Sequence, residues 1–209
     1  MKLIKKVAAV SLLTLSGVAL AQVGNNDVLV DPNLVEADEL VGIPHMTVAL
    51  VQAVIDGRPY LTAGQLDDVL ASASDENQRE EIYGHLFRQI NLNTASEHDI
   101  MLIPGMSSRM THEFEEYRPY TSLEQFRREI GKYVDDEEVA RLEQYVFVPM
   151  NLNKSSEETF ATIPGITSRM IHEFEEYRPY TSMEQFRREI GKYVDDDEVA
   201  RLESYVTID

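Results

Sequence analysis

The chain has 209 residues, 43% of them apolar and 27% charged, a balance that supports packed cores and excludes a chain disordered throughout. Thirty-seven Asp and Glu against nineteen Lys and Arg give a formal charge of −18, which repels polyanions and anionic lipid at long range and favours solubility. There is no cysteine, so disulfides and a lipid-modified cysteine are excluded and the fold relies on packing.

The first residues, MKLIKKVAAVSLLTLSGVALAQ, combine a basic start (Lys2, Lys5, Lys6), an apolar run from Val7 to Leu20 and Ala19-Leu20-Ala21 ahead of Gln22. This is the layout of a cleavable secretory signal over 1–21, and the run is short for a membrane span; an uncleaved anchor is the competing reading. Removing the segment takes away three lysines and no acid, moving the charge from −18 to −21. The expected product begins near Gln22, has no membrane span and is periplasmic or secreted.

Internal comparison organises the rest. Residues 91–147 and 151–207 align without a gap at a spacing of sixty, and from His112/His172 to Asp136/Asp196 they differ only at Leu123 against Met183. A divergent copy lies upstream in the same register, with Asn33, Pro44, Arg58, Pro59 and Tyr60 sixty residues before Asn93, Pro104, Arg118, Pro119 and Tyr120. The expected division is a short linker over 22–29, repeat 1 over 30–89, repeat 2 over 90–149 and repeat 3 over 150–209.

In repeat 2, Ser96 and Asp99 form a capping box that opens a first helix, with Ile100 and Ile103 inward, up to Pro104. After Gly105 a second helix starts at Ser107 or Ser108, carries Met110, Phe114 and Tyr117 on one stripe and closes before Pro119. Ser122 with Gln125 predicts a third helix with Leu123, Phe126 and Ile130 inside and Gly131 as its stop. A fourth begins at Asp135, where acids suit the helix N-terminus and Val139, Leu142 and Val146 point inward. No period-two pattern of useful length appears, so the fold class is all-α, three tandem units of about four short helices each. The short links, Val148 to Met150 and the residues near Ile90, suggest units packed close together; a bead-like chain is the alternative.

INLNTASEHDIMLIPGMSSRMTHEFEEYRPYTSLEQF resembles the helix-hairpin-helix domain of ComEA-type competence proteins, whose pattern runs NxNTAxxxEL..LPGIGxxxAxxIxxxR...PFxSxxDL. Asn91, Asn93, Thr94, Ala95, Pro104, Gly105, Arg118, Tyr120 and Ser122 fall on matching positions. The match covers repeats 2 and 3 and, more weakly, residues 30–89. The resemblance implies an extracytoplasmic module that holds double-stranded DNA without sequence preference. In DNA-binding members two turn glycines let the backbone approach a phosphate, helix-start amides point at its oxygens and nearby Lys or Arg neutralises it.

The candidate phosphate-contacting residues are Gly105, Ser107, Ser108 and Arg109, repeated as Gly165, Thr167, Ser168 and Arg169. The second glycine of the pattern is replaced by Ser107 and Thr167, and in repeat 1 by Thr47, with His45 at the position of the first; Val48 and Ala49 stand where the others have Ser108 and Arg109. Ser or Thr still caps the helix. Glu113, Glu115 and Glu116, with Glu173, Glu175 and Glu176, oppose an anion. Arg127, Arg128 and Lys132, with Arg187, Arg188 and Lys192, form a strip among acids that reads as a solvated face of mixed charge.

No enzyme, metal or cofactor is expected. HEFEE at His112 and His172 lacks a second histidine for a zinc helix, the acidic run at Asp135 lacks calcium-loop spacing, and no nucleophile sits with a base. Two functions follow: a secreted DNA-backbone-binding protein, or an acidic interaction scaffold for a basic protein partner in an envelope or extracellular assembly.

Overall fold

A computed structural model describes residues 22–24 and 28–208; the expected signal segment lies outside them. The helices begin where short polar side chains supply the first acceptors. Repeat 1 contains α1 (Ala37–Val41), α2 (Val48–Asp56), α3 (Ala63–Leu70) and α4 (Glu76–Tyr83). Thr47, Thr62 and Asp75 cap the last three of these by accepting from a backbone amide three residues on, whereas α1 starts at Glu36 without a side-chain cap. Repeat 2 contains α5 (Glu97–Met101), α6 (Ser108–Glu116), α7 (Leu123–Ile130) and α8 (Asp136–Glu143), capped by Ser96, Ser107, Ser122 and Asp135. Repeat 3 follows with α9 (Glu157–Phe160), α10 (Ser168–Glu176), α11 (Met183–Ile190) and α12 (Asp196–Glu203), capped by Ser156, Thr167, Ser182 and Asp195. The all-α class holds. No helix among the described residues is long and apolar enough to cross a membrane.

Two local details differ from expectation. Ser122 accepts from the Gln125 amide (3.1 Å), but the Gln125 carbonyl oxygen reaches one residue further back, to the Thr121 amide (2.9 Å), so the reciprocal half of the box is displaced. The periodicity places Val146 on the inner face of the fourth helix; α8 ends at Glu143, and Val146 is buried in a two-residue strand instead.

Those strands are short parallel contacts too local for a periodicity to reveal. β1 (Ile90–Asn91) pairs with β2 (Val146–Phe147), and β3 (Met150–Asn151) with β4 (Val206–Thr207). A single bridge, Val30 to Leu86, is the equivalent in repeat 1. The start of each sixty-residue stretch thus lies beside its own end. Residues from the expected linker join in: Val23 bridges Phe147, and the Gly24 amide donates to the Val146 carbonyl (3.1 Å).

A side-chain amide closes each stretch a second time. Asn93 Nδ2 donates to the Tyr120 carbonyl (2.9 Å) while the Tyr120 amide donates to Asn93 Oδ1 (2.6 Å). Asn33 and Tyr60 repeat the exchange, as do Asn153 and Tyr180. Alongside, Arg118 donates to the Leu92 and Ala95 carbonyls (2.6 and 2.8 Å), with Arg58 and Arg178 in the same role. The RPY motif is therefore structural, and Tyr60, Tyr120 and Tyr180 are almost wholly buried.

The units are not beads on a string. One buried apolar cluster runs from Leu29 to Val148, and a second gathers repeat 3 with Val23 and Phe147. Between them lies Arg88, fully buried. It donates to the carbonyls of Tyr60 (3.0 Å) and Gln89 (3.1 Å), the Tyr205 hydroxyl (2.7 Å) and Ser204 Oγ (2.7 Å). Its guanidinium stacks on Tyr205 and Phe147, 4.6 and 5.5 Å from the ring centres. A buried cation is tolerated only when its donors are taken up, and here neutral oxygens do that. Tyr205 in turn faces Asp31 (3.4 Å), and burial, first of all, pushes its phenol pKa up.

Arg88→Ala should lower unfolding stability by about 3 kcal/mol, because it strands buried acceptors and opens a void. Asn93→Ala should cost about 2 kcal/mol through two lost bonds to backbone. Urea titration of each variant measures both.

Candidate functional site

The hairpin turn demands a left-handed residue after the proline. Gly105 and Gly165 adopt φ of +72° and +70°, and His45 adopts +65° at the same place in repeat 1. A side chain there is disfavoured by contact of its Cβ with the backbone. His45 has a local partner, its Nε2 lying 2.8 Å from a Glu81 carboxylate oxygen. The turn therefore survives the loss of its glycine in repeat 1.

From the turn the chain enters α6 and α10. Ser107 Oγ accepts from the Met110 amide (3.3 Å) and Thr167 Oγ1 from the Met170 amide (3.2 Å), so both hydroxyls act as caps. Among the described residues, the amides of Ser108 and Arg109, and of Ser168 and Arg169, have no protein acceptor. They sit exposed at the positive end of nine-residue helices, the end that favours an anion. The Arg109 and Arg169 side chains form no ion pair among the described residues; each lies over a tyrosine ring, Tyr133 at 6.0 Å and Tyr193 at 5.4 Å. All eight candidate residues thus gather at two equivalent helix starts, whereas Tyr133 and Tyr193 come from a separate turn outside the hairpin motif.

Several of the surrounding charges are paired. Glu115 meets Arg118 (3.4 Å) and Glu175 meets Arg178 (3.3 Å). Glu116 and Glu176 each lie beside an exposed histidine, His112 at 3.5 Å and His172 at 3.4 Å, a contact that carries charge only when the imidazole is protonated, and Glu113 and Glu173 are buried. Arg127 makes a two-pronged contact with Glu143 (2.5 and 2.7 Å), and Arg187 with Glu203 (2.6 and 2.5 Å). Arg128 and Lys132 both hold Glu129, and Arg188 and Lys192 both hold Glu189. The Lys132 hydrogen bond, followed by that of Arg128, holds the Glu129 carboxyl below the ordinary carboxylate range. The strip is the mixed-charge face the sequence suggests. The acidic run at Asp135 caps α8 through the Glu138 amide (3.0 Å), and Glu138 pairs with Arg141 (2.6 Å). Among the described residues no group of three or more His, Asp or Glu is placed to hold a metal.

Both intact turns also touch repeat 1. The Gly105 amide donates to a Glu80 carboxylate oxygen at 3.3 Å, at the edge of a cavity of about 390 Å³ lined by Arg79, Tyr83, Met101 and Met106 among others. At Gly165, a Cβ would stand 2.8 Å from a Leu34 methyl, and the adjacent Pro164 carbonyl accepts from Arg201 (2.7 Å). The contacts of Glu80 and Leu34 with these turns join different repeats and carry no local sequence signal.

Gly105→Ala should cost about 1 kcal/mol through its backbone conformation alone, since the added Cβ would meet only the Arg141 guanidinium, at an ordinary contact distance of 3.7 Å. Gly165→Ala should cost more, because Leu34 must also move; thermal unfolding of the two variants ranks them. Compared with protein-family models, with curated proteins and with solved structures, the chain finds no match.

Proposed function

We propose that this chain is a non-enzymatic, extracytoplasmic binding protein of the ComEA-like helix-hairpin-helix type, and that it holds double-stranded DNA by its backbone without reading bases. Gly105, Ser107, Ser108 and Arg109 form one contact, and Gly165, Thr167, Ser168 and Arg169 the other. The observation that carries this reading is the state of Arg109 and Arg169. Neighbouring Arg127, Arg128, Arg187 and Arg188 are taken up by carboxylates, whereas these two stand exposed and unpaired beside free helix-start amides. Such a pairing of donors and positive charge suits a phosphate oxygen. The charge of −18 slows approach and makes the contact depend on salt, without removing the local field.

A second reading has its own support. The Gly105 amide donates to a Glu80 carboxylate, and the Gly165 turn packs against Leu34, so these turns can serve protein contacts. On that reading the acidic surface selects a basic protein partner.

Binding to a short fluorescent duplex over a salt series separates the two. Backbone binding predicts an affinity that falls with salt, with a log–log slope of about −2 or steeper for two or more neutralised phosphates. It also predicts loss of binding in the Arg109→Glu/Arg169→Glu variant. Absence of binding at low salt, or indifference to both charges, overturns the DNA reading; co-purification with a basic protein after nuclease treatment establishes the scaffold.

A further inference from the structure

Arg109, Glu113 and Tyr117 follow one another at a spacing of four, so they share one stripe of α6 and its C-terminal end. Lys132 and Tyr133, from the turn between α7 and α8, meet that stripe. The Tyr117 and Tyr133 hydroxyls are 2.8 Å apart, Lys132 Nζ lies 4.7 Å above the Tyr117 ring, and the Arg109 guanidinium lies over Tyr133. Beneath them Glu113 is 8% exposed, and its Oε2 is sealed without a hydrogen-bond partner. Tyr117, by its hydrogen bond, and Glu113 both push the Tyr133 phenol pKa up. In repeat 3 the same five positions repeat the arrangement: Tyr177 and Tyr193 are 2.8 Å apart, Lys192 lies 4.9 Å above Tyr177, Arg169 lies over Tyr193, and Glu173 Oε2 is likewise sealed.

Repeat 1 supplies the contrast. Sixty residues earlier the five positions are Ala49, Ala53, Gly57, Ser72 and Ala73, so the whole cluster is missing at once. The room beside Gly57 is used by the Tyr60 hydroxyl, which donates to the Val54 carbonyl (2.9 Å). Repeat 1 nonetheless forms the corresponding four helices. The cluster is therefore not required to make the fold, and an outward-facing arginine laid on a ring adds little to a core. A guanidinium resting over a ring at 5.4 to 6.0 Å restrains a long side chain that otherwise samples many rotamers, and the ring accepts none of its N–H donors as an oxygen would.

We propose that Tyr133 and Tyr193 are positioning residues that hold Arg109 and Arg169 for the phosphodiester backbone. Repeats 2 and 3 then present two matched contact platforms, and repeat 1 takes no part in the contact. This rests on the DNA reading above and adds to it the residues that preorganise the two arginines. Holding them in advance removes an ordering cost from binding.

The test is a double-mutant cycle in duplex affinity at fixed low salt, with urea midpoints recorded for every variant. Tyr133→Leu/Tyr193→Leu should weaken binding about tenfold, and Tyr133→Phe/Tyr193→Phe, which keeps the rings, should stay within about twofold. Adding the leucines to Arg109→Gln/Arg169→Gln should cause no further loss, a coupling that a general loss of stability does not produce. Additive losses, or a leucine pair that binds like the native protein, overturn the proposal while leaving the DNA reading intact. If the native protein itself fails to bind, the reading and the platforms fall together.

Discussion

Helices of four to nine residues are too short to persist alone, since nucleation costs more than a turn or two returns. What holds each set in place is the exchange between an asparagine amide and a tyrosine backbone, Asn33 with Tyr60, Asn93 with Tyr120 and Asn153 with Tyr180. One planar amide serves as donor and acceptor to a single residue, so it fixes distance and orientation together. The neighbouring arginine then takes up carbonyls that would otherwise be stranded at the entry of the first helix. With those ends fixed, the tyrosine ring is carried into the core and the hairpin is presented at a constant angle. This explains why Asn, Arg, Pro and Tyr persist at the same positions in repeat 1 although its surface has diverged.

The net charge and the local field tell different stories. Most acids and bases near the hairpins neutralise one another within a turn or across α7 and α8. The residual field at α6 and α10 then depends on a few groups: two free amides, an arginine and the helix dipole on one side, and the buried Glu113 or Glu173, with Glu80 at the Gly105 turn, on the other. A surplus of carboxylates elsewhere acts through solvent and is screened within about 8 Å at physiological salt. An acidic protein can therefore keep a locally positive point.

What the sequence discloses is what acts over three or four residues. Caps at Ser96, Ser107 and Asp135, the break at Pro104 and the buried faces of α7 are local events, and each left a local trace. The repeat spacing made the candidate helix starts visible even in the divergent copy. Contacts that join distant segments left no trace of that kind. Arg88 has no counterpart sixty residues on, where Val148 and Ile208 stand, and as an isolated arginine near a link it looks like any surface cation. Leu34 at Gly165 and Glu80 at Gly105 are equally silent. The tyrosine platform occupies a middle ground: five positions that change together between copies form a signal, but only comparison of repeat 1 with the other two exposes it.

The parallel contact between the first and last residues of each stretch has a consequence for how such a chain can grow. A segment whose two ends emerge side by side can be copied in tandem without prising its neighbours apart, because the main chain leaves close to where it entered. The same economy carries a hazard. Two nearly identical segments can trade halves during folding, with β1 taking Val206 in place of Val146. Repeat 1 is the segment that cannot be so traded, and through Arg88 it reaches the far end of repeat 3 at Ser204 and Tyr205. The divergent copy thus supplies the asymmetry that tells its two look-alike neighbours apart.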